Sequence, residues 1–263
     1  MHYRARKFVP LLSNLEKPLV LTILFLAALG SSIISGLVGM AGGVTLLAVL
    51  TFFFPMSILV PIHGTVQFAS NVSRSFILKA HIQKESFIPF LMGVPFGAVG
   101  VYFLLKAIPT PQWALIVVTF LLFYVAFKPK KLPELRLGSF GFFILGGTAS
   151  FLGALIGATG PLLAPFFARS DFEKEEIVAT KSACQILVHL VKFPIFITLA
   201  FPYQDYAIEI GLMVFGVIVG TKIGTSLLKR VSTQWFMVFL KVALALTGLR
   251  LGYKMLTHYN VLP

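Results

Sequence analysis

The sequence contains few acidic residues and a single cysteine. Cys184 alone excludes an internal disulfide and a metal site built from cysteine side chains. The nine carboxylates lie between the long apolar runs or near their ends. Because a cation pathway or a carboxylate-bound metal normally requires an acid within the membrane, we expect neither a metal nor another cofactor. These acids are Glu16, Glu85, Glu134, Asp171, Glu173, Glu175, Glu176, Asp205 and Glu209.

Long apolar runs recur along the chain instead. Apolar residues make up 57% of the 263 residues, and charged residues only 12%. Runs such as 19–38, 88–105 and 113–127 are long enough to cross a hydrocarbon core of about 30 Å as helices. The sequence therefore predicts an all-α, multi-pass membrane protein whose first partner is the lipid bilayer.

The net charge of +13 has an ordinary explanation in such a protein. Most basic residues lie between the apolar runs, as the positive-inside rule requires, so nucleic acid is not an expected partner. Residues 1–17 form a basic arm that we expect to be cytoplasmic.

A polar stripe occurs twice, and its members are separated by the same spacings. The positions i, i+4, i+8 and i+11 fall on one narrow face of a helix, in neighbourhoods that are mostly apolar. Every member of the second stripe lies 118 positions after its counterpart (181 minus 63, for example). Such duplication predicts a polar cavity lined by both stripes. The stripes are His63, Gln67, Asn71 and Arg74, and Lys181, Gln185, His189 and Lys192.

A glycine-rich break precedes each stripe at the same offset of 118. Each break separates a full-length apolar run from a short one, 44–54 or 162–167, that is too short to span alone. The free N–H groups and positive dipole end of a half-helix form a ready anion site, which glycine lets a ligand approach closely. The candidate residues are Gly39, Gly42, Gly43, Gly157, Thr159 and Gly160.

The duplication predicts two transmembrane repeats, 18–130 and 131–263, after the arm 1–17. The basic loops at 79–84 and 128–136 fall on the side of the arm if each repeat crosses the membrane four times, which predicts parallel tandem repeats and about eight crossings. The alternative is an inverted five-plus-five arrangement with ten helices.

These segments resemble the TauE/SafE family, the sulfite and organosulfur-anion exporters of bacteria. The resemblance rests on 36–43 followed by 63–67, and on 153–161 followed by 179–185. It covers nearly the whole chain, although Met40 and Ala41 interrupt the first glycine run. It implies a secondary transporter in the bacterial inner membrane that exports a small sulfur-containing anion.

We therefore expect a small anionic substrate held by the two half-helix N-termini and the two stripes, and no enzymatic activity. The glutamines would donate hydrogen bonds, the cations would offset the anion's desolvation, and His63 or His189 would carry a coupling proton. Alternatives remain for single residues: the amides and histidines as interhelical hydrogen-bonding groups, and the cations as side chains near helix ends that reach the interface. The first set is Gln67, Asn71, Gln185, His63 and His189, and the second is Arg74, Lys181 and Lys192. Two other functions also remain open, a passive anion channel and an intramembrane enzyme acting on a lipid-linked anion. The anion, the coupling ion and the oligomeric state are not predicted.

Overall fold

The computed structural model describes residues 17–39, 42–107, 136–157, 159–167 and 169–232, together with 234, 235 and 238. Within them the chain is helical, which confirms the predicted all-α class. The helices, in chain order, are α1 (Lys17–Val38), α2 (Gly42–Leu50), α3 (Met56–Ile77), α4 (Lys84–Ala107), α5 (Ser139–Ile156), α6 (Gly160–Phe167), α7 (Lys174–Leu190), α8 (Lys192–Thr198) and α9 (Ala207–Arg230). Short 3-10 turns lie at Lys79–His81 and Tyr203–Tyr206.

Within the described ranges, four segments are long and apolar enough to cross a membrane: Lys17–Val38, Lys84–Ala107, Lys174–Thr198 and Tyr203–Arg230. The predicted half-helices are present as α2 and α6, which have 9 and 8 residues. At about 1.5 Å per residue, neither half-helix can cross the bilayer alone. The helix predicted at 113–127 lies outside the described residues, as do residues 239–263 at the end of the second predicted repeat.

The second stripe is divided between two helices, which corrects the prediction that its four members lie on one helix. Helix α7 ends at Leu190 and α8 begins at Lys192. Pro194 explains the interruption, because its nitrogen has no hydrogen to donate to the carbonyl of Leu190. Lys192 therefore lies on a different helix from Lys181, Gln185 and His189.

Two pairs of helices pack through glycines with their backbones in close contact. A Cβ on Gly216 would meet the carbonyl oxygen of Phe25 in α1 at 3.1 Å, and one on Gly220 would meet the carbonyl of Leu29. In α4, Gly93 and Gly97 approach the carbonyls of Phe143 and Gly147 in α5 in the same way. The residues that provide the carbonyls are 118 positions apart in the two helix pairs (143 minus 25, 147 minus 29). The glycines that approach them are 123 positions apart (216 minus 93, 220 minus 97). The pair α1–α9 therefore has the same packing register as the pair α5–α4.

Hydrogen bonds from two serine hydroxyls show the same correspondence between the two helix pairs. Ser32 of α1 donates to the carbonyl oxygen of Val217 at 3.0 Å, and Ser150 of α5 donates to the carbonyl oxygen of Val94 at 2.9 Å. The two serines are 118 positions apart (150 minus 32) and the two valines 123 (217 minus 94). Each such bond joins two helices that are distant in the sequence.

Two apolar clusters fix the directions of the helices. One cluster contains Val38, Leu78 and Leu228, from the C-terminal ends of α1, α3 and α9, together with residues from the N-terminal half of α4, from the first two thirds of α5 and from most of α7. The other contains residues from α2 and from the N-terminal halves of α1, α3 and α9. The direction of α7 follows from its contacts with α3, since His63 lies beside His189 and Arg74 donates to Ser182. Helices α1, α3 and α9 therefore run in one direction, and α4, α5 and α7 run in the other.

These directions contradict the predicted parallel arrangement. Helices at equivalent positions of the two predicted repeats, α1 and α5, α3 and α7, and α4 and α9, run oppositely. The side chains of α2 lie in the cluster that contains the N-terminal half of α1, and those of α6 lie in the opposite cluster. The half-helices therefore extend from the middle of the molecule toward opposite ends.

The connector between α6 and α7 carries the predicted acidic residues at the surface. Arg169 donates two hydrogen bonds to the carboxylate of Asp171, at 2.9 and 2.5 Å, and these bonds lower the pKa of Asp171. Glu173 and Glu176 then form a capping box that begins α7. The loop between α3 and α4 is attached to α7, because the amide N–H of Gln83 donates to the Thr180 hydroxyl at 2.9 Å.

Candidate functional site

The two stripes face each other along the antiparallel pair α3–α7. The rings of His63 and His189 contact edge to face, with centroids 6.1 Å apart. About three turns farther along α3, Arg74 donates to the Ser182 hydroxyl at 3.1 Å. Lys192 lies against the backbone at Gly64, where a Cβ would be 2.8 Å from the lysine Cδ. The structure therefore joins the two sets of candidate residues into one polar column inside the helix bundle.

All eight stripe side chains are buried, and none is more than 6% exposed. Arg74, Lys181 and Lys192 are among the largest fully buried side chains in the described residues. None of these cations reaches the surface of the described helix bundle. Burying such a group costs several kcal/mol unless a partner compensates for its lost hydration.

The two lysines bind the two glycine breaks. The Nζ of Lys192 donates to the carbonyl oxygen of Gly157 at 2.8 Å, and the Nζ of Lys181 donates to the carbonyl oxygen of Gly39. These glycines lie 118 positions apart, and both have positive φ, +75° and +91°. This backbone conformation favours glycine and turns the chain out of α1 and α5.

Each half-helix begins against a stripe glutamine. A Cβ on Gly43, in the first turn of α2, would lie 3.3 Å from Oε1 of Gln67. A Cβ on Gly160, the first residue of α6, would lie 3.5 Å from Nε2 of Gln185 and 3.8 Å from Nζ of Lys181. Gly42 is instead packed against Ser31 and Ser35 of α1, so its role is close helix packing. The structure thus brings the half-helix starts and the stripes together, as the sequence predicts.

Arg74 is held by neutral groups. Its guanidinium donates to Asn71 Oδ1 at 3.1 Å, to the Ser182 hydroxyl at 3.1 Å and to the Ser70 hydroxyl at 3.0 Å. Ser70 in turn hydrogen bonds to Ser32 at 2.8 Å and joins a hydroxyl cluster between α1, α3 and α9. Sequence reasoning missed Ser70 and Ser182. The position of Ser70 contained a signal, because it lies four residues before Arg74 on the same helical face.

No carboxylate among the residues that the structure describes forms an ion pair with Arg74, Lys181 or Lys192. Several buried polar atoms around them also lack a hydrogen-bond partner: Nδ1 of His63, Nδ1 of His189, Oγ1 of Thr159 and Nε of Arg74. Unpaired buried polar atoms are rare in folded proteins and point to a bound group or to water. The site has an excess of positive charge and of hydrogen-bond donors, which suits an anion.

The two ring nitrogens of His63 have different surroundings. Its Nε2 donates to the carbonyl oxygen of Gly43 at 2.7 Å, because a carbonyl can only accept. In the neutral ring Nδ1 then carries no hydrogen, and it lies 3.8 Å from the Cβ position of Gly157.

The comparisons with known proteins agree with this chemistry. The sequence profile of the family described as sulfite exporter TauE/SafE matches residues 24–251, which include all fourteen candidate residues. No curated protein and no solved structure gives a significant match to the chain. With most of its length matched, the chain belongs to the TauE/SafE sulfite exporter family, a family of membrane transporters.

Proposed function

We propose that this protein is a secondary transporter that carries a small sulfur-containing anion, such as sulfite or an organosulfonate, out of the cell across the bacterial inner membrane. Family membership supports the transporter class. The observation that carries the proposal is the group of three buried cations with no carboxylate partner among the described residues. An oxyanion between them would offset their desolvation, as a buried counter-ion does.

The neutral donors complete the proposed site. Gln185 faces the start of α6 with its Nε2, and Gln67 lies against the start of α2, where the first N–H groups of each half-helix are free. Half-helix N-termini that point at an anionic group are a recurring feature of secondary transporters. Neutral donors bind an oxyanion without fixing it so strongly that it is not released on the other side of the membrane.

We infer that the halves 18–130 and 131–263 form an inverted repeat of the five-plus-five kind. The constant offsets between α1–α9 and α5–α4, and the opposite directions of equivalent helices, support this inference. Inverted repeats produce alternating access when one half rocks against the other around a central site. The contact between the two stripes would then be the place where the anion is exposed to each side in turn.

We also propose that transport is coupled to protons through the histidine pair. His63 has a free Nδ1 acceptor, and His189 has an unpaired Nδ1 only one ring contact away. A proton taken up here would add a positive charge to the site when the anion is present, and would leave with it.

Counterflow in proteoliposomes tests the proposal. Labelled sulfite is added outside vesicles that contain excess unlabelled sulfite or none. A carrier predicts uptake accelerated by the internal sulfite, because a loaded site returns faster than an empty one. A channel predicts no such acceleration, and uptake equal to that of empty liposomes would contradict anion transport altogether. The variant Lys181→Gln should lose transport, whereas Lys79→Gln, which removes an exposed cation of the α3–α4 loop, should not.

A further inference from the structure

The two half-helix starts are chemically unequal, although they occupy equivalent positions. The α6 half-site consists of Thr159, Gly160, Lys181 and Gln185, and the α2 half-site consists of Gly43, His63 and Gln67. The residue in the α2 half-site that corresponds to Lys181 is His63, at the offset of 118. We propose that the single charged head of the transported anion binds at the α6 half-site, and that the uncharged remainder lies toward Gln67. This inference rests on the proposed anion transport and assigns an orientation to it.

Only donors face the start of α6. Nε2 of Gln185 and Nζ of Lys181 lie 3.5 and 3.8 Å from the Cβ position of Gly160. An ammonium has three N–H groups, and Lys181 uses one of them on the carbonyl oxygen of Gly39. Two remain for a ligand. A group that accepts several hydrogen bonds and carries negative charge satisfies this arrangement, and a sulfite or sulfonate head does both.

Thr159 provides independent evidence for a ligand at this place. Its carbonyl oxygen accepts the first bond of α6, from the N–H of Leu163 at 3.1 Å, so Thr159 is the N-cap residue. An N-cap threonine normally folds its hydroxyl back onto the helix N–H groups. Here Oγ1 has no partner although the residue is only 1% exposed. The methyl group lies toward Gly153, 3.0 Å from its Cβ position, which directs the hydroxyl away from α5.

The α2 half-site is already partly satisfied. The nearest Gln67 atom to the Cβ position of Gly43 is Oε1, an acceptor, at 3.3 Å. Nε2 of His63 is engaged by the Gly43 carbonyl. A second anionic group would meet the glutamine oxygen there, whereas a hydroxyl, amine or methyl group would not be repelled. The transported species is therefore a sulfite or a sulfonate with one anionic end.

Isothermal titration of the purified protein with sulfite, methanesulfonate and sulfoacetate tests this orientation. Hydrogen bonds to a charged group contribute more than neutral ones, so Gln185→Leu should weaken sulfite binding at least about tenfold, and Gln67→Leu several-fold less. Methanesulfonate should bind more tightly than sulfoacetate, which has a second anionic end. Lys181→Arg should restore part of the affinity that Lys181→Gln loses. Thermal unfolding checks that each variant is folded.

Thr159→Val supplies a second route if Gln185→Leu does not fold. This nearly isosteric change removes only the unpaired hydroxyl, so we expect weaker sulfite binding without loss of stability. Equal losses in Gln67→Leu and Gln185→Leu, or unchanged binding in Thr159→Val, would overturn the orientation while leaving anion transport intact. A wild-type protein that binds none of the three anions would overturn the proposed function itself.

Discussion

Lys192 donates a hydrogen bond of 2.8 Å to the carbonyl oxygen of Gly157, the residue at which helix α5 ends. Lys181 makes the corresponding bond to Gly39, just beyond the end of α1. Both lysines thus place a positive charge at the negative end of a helix dipole, which stabilises them in part. Each ammonium retains two further N–H groups, so the same side chain can support the break and bind an anion.

Replacing Lys192 separates these two roles. In Lys192→Met, we expect the free energy of unfolding to change by less than about 2 kcal/mol, because relief of the buried charge opposes the lost hydrogen bond to Gly157. Sulfite affinity should fall at least about tenfold, since a donor to a charged group is removed. Denaturation in detergent and isothermal titration measure the two effects. A large loss of stability with unchanged affinity would show that Lys192 serves only the break.

Packing between α1 and α9 depends on glycine at particular positions. Gly220→Ala should destabilise the protein by about 1–3 kcal/mol, because the new methyl group would meet the carbonyl oxygen of Leu29. Gly211→Ala in the same helix is the matched control, with nothing within 4 Å of its Cβ position. It should stabilise slightly, by about 0.5–1 kcal/mol. Equal effects in thermal unfolding would disprove the close packing.

Cysteine labelling tests the opposite directions of the two halves. In a Cys184→Ala background, single cysteines replace Lys79 in the α3–α4 loop and Gln204 between α8 and α9, both exposed positions. Inverted halves place these loops on opposite sides of the membrane, so an impermeant maleimide added to right-side-out vesicles should label only one of them. Labelling of both, or of neither before lysis, would support parallel halves instead.

A methyl group at the start of α6 should leave the protein folded but weaken anion binding. In Gly160→Ala, the new Cβ would lie at ordinary van der Waals distance from Gln185 and Lys181. We expect normal thermal stability and an anion affinity lowered by several-fold, because the methyl group occupies the space where the head binds. Gly30→Ala, in α1 with nothing within 4 Å, is the control and should bind normally. Unchanged affinity in Gly160→Ala would place the anion elsewhere.

The sequence predicts the helical class, the breaks and the half-helices, because long apolar runs and glycine clusters are local features. It does not predict the relative direction of the halves. Loop charge favours a parallel arrangement, whereas contacts such as Arg74–Ser182 and His63–His189 require α3 and α7 to be antiparallel. Those contacts form between residues that are more than 100 positions apart, and local patterns carry no information about them.

The stripes are predictable for a similar reason, since helical spacing alone places their members on one face. The groups that hold Arg74 are less accessible to such reasoning. Ser70 and Ser182 are common helix residues in membrane proteins, and only the crossing of α3 with α7 brings the second one to the guanidinium. Pro194 is the local signal for the interruption at Val191. The interruption lies between His189 and Lys192 because the proline has no N–H to donate to the preceding turn.

Binding of sulfite to the purified protein, followed by thermal unfolding, tests the central claim most directly. A ligand that binds only the folded state raises the melting temperature, and the rise grows with concentration. We expect stabilisation of the wild-type protein by sulfite or methanesulfonate, none by sodium or calcium at equal ionic strength, and loss of the effect in the Gln67→Ala/Gln185→Ala double variant. Stabilisation by the cations alone, or by sulfite to the same extent in the double variant, would contradict it.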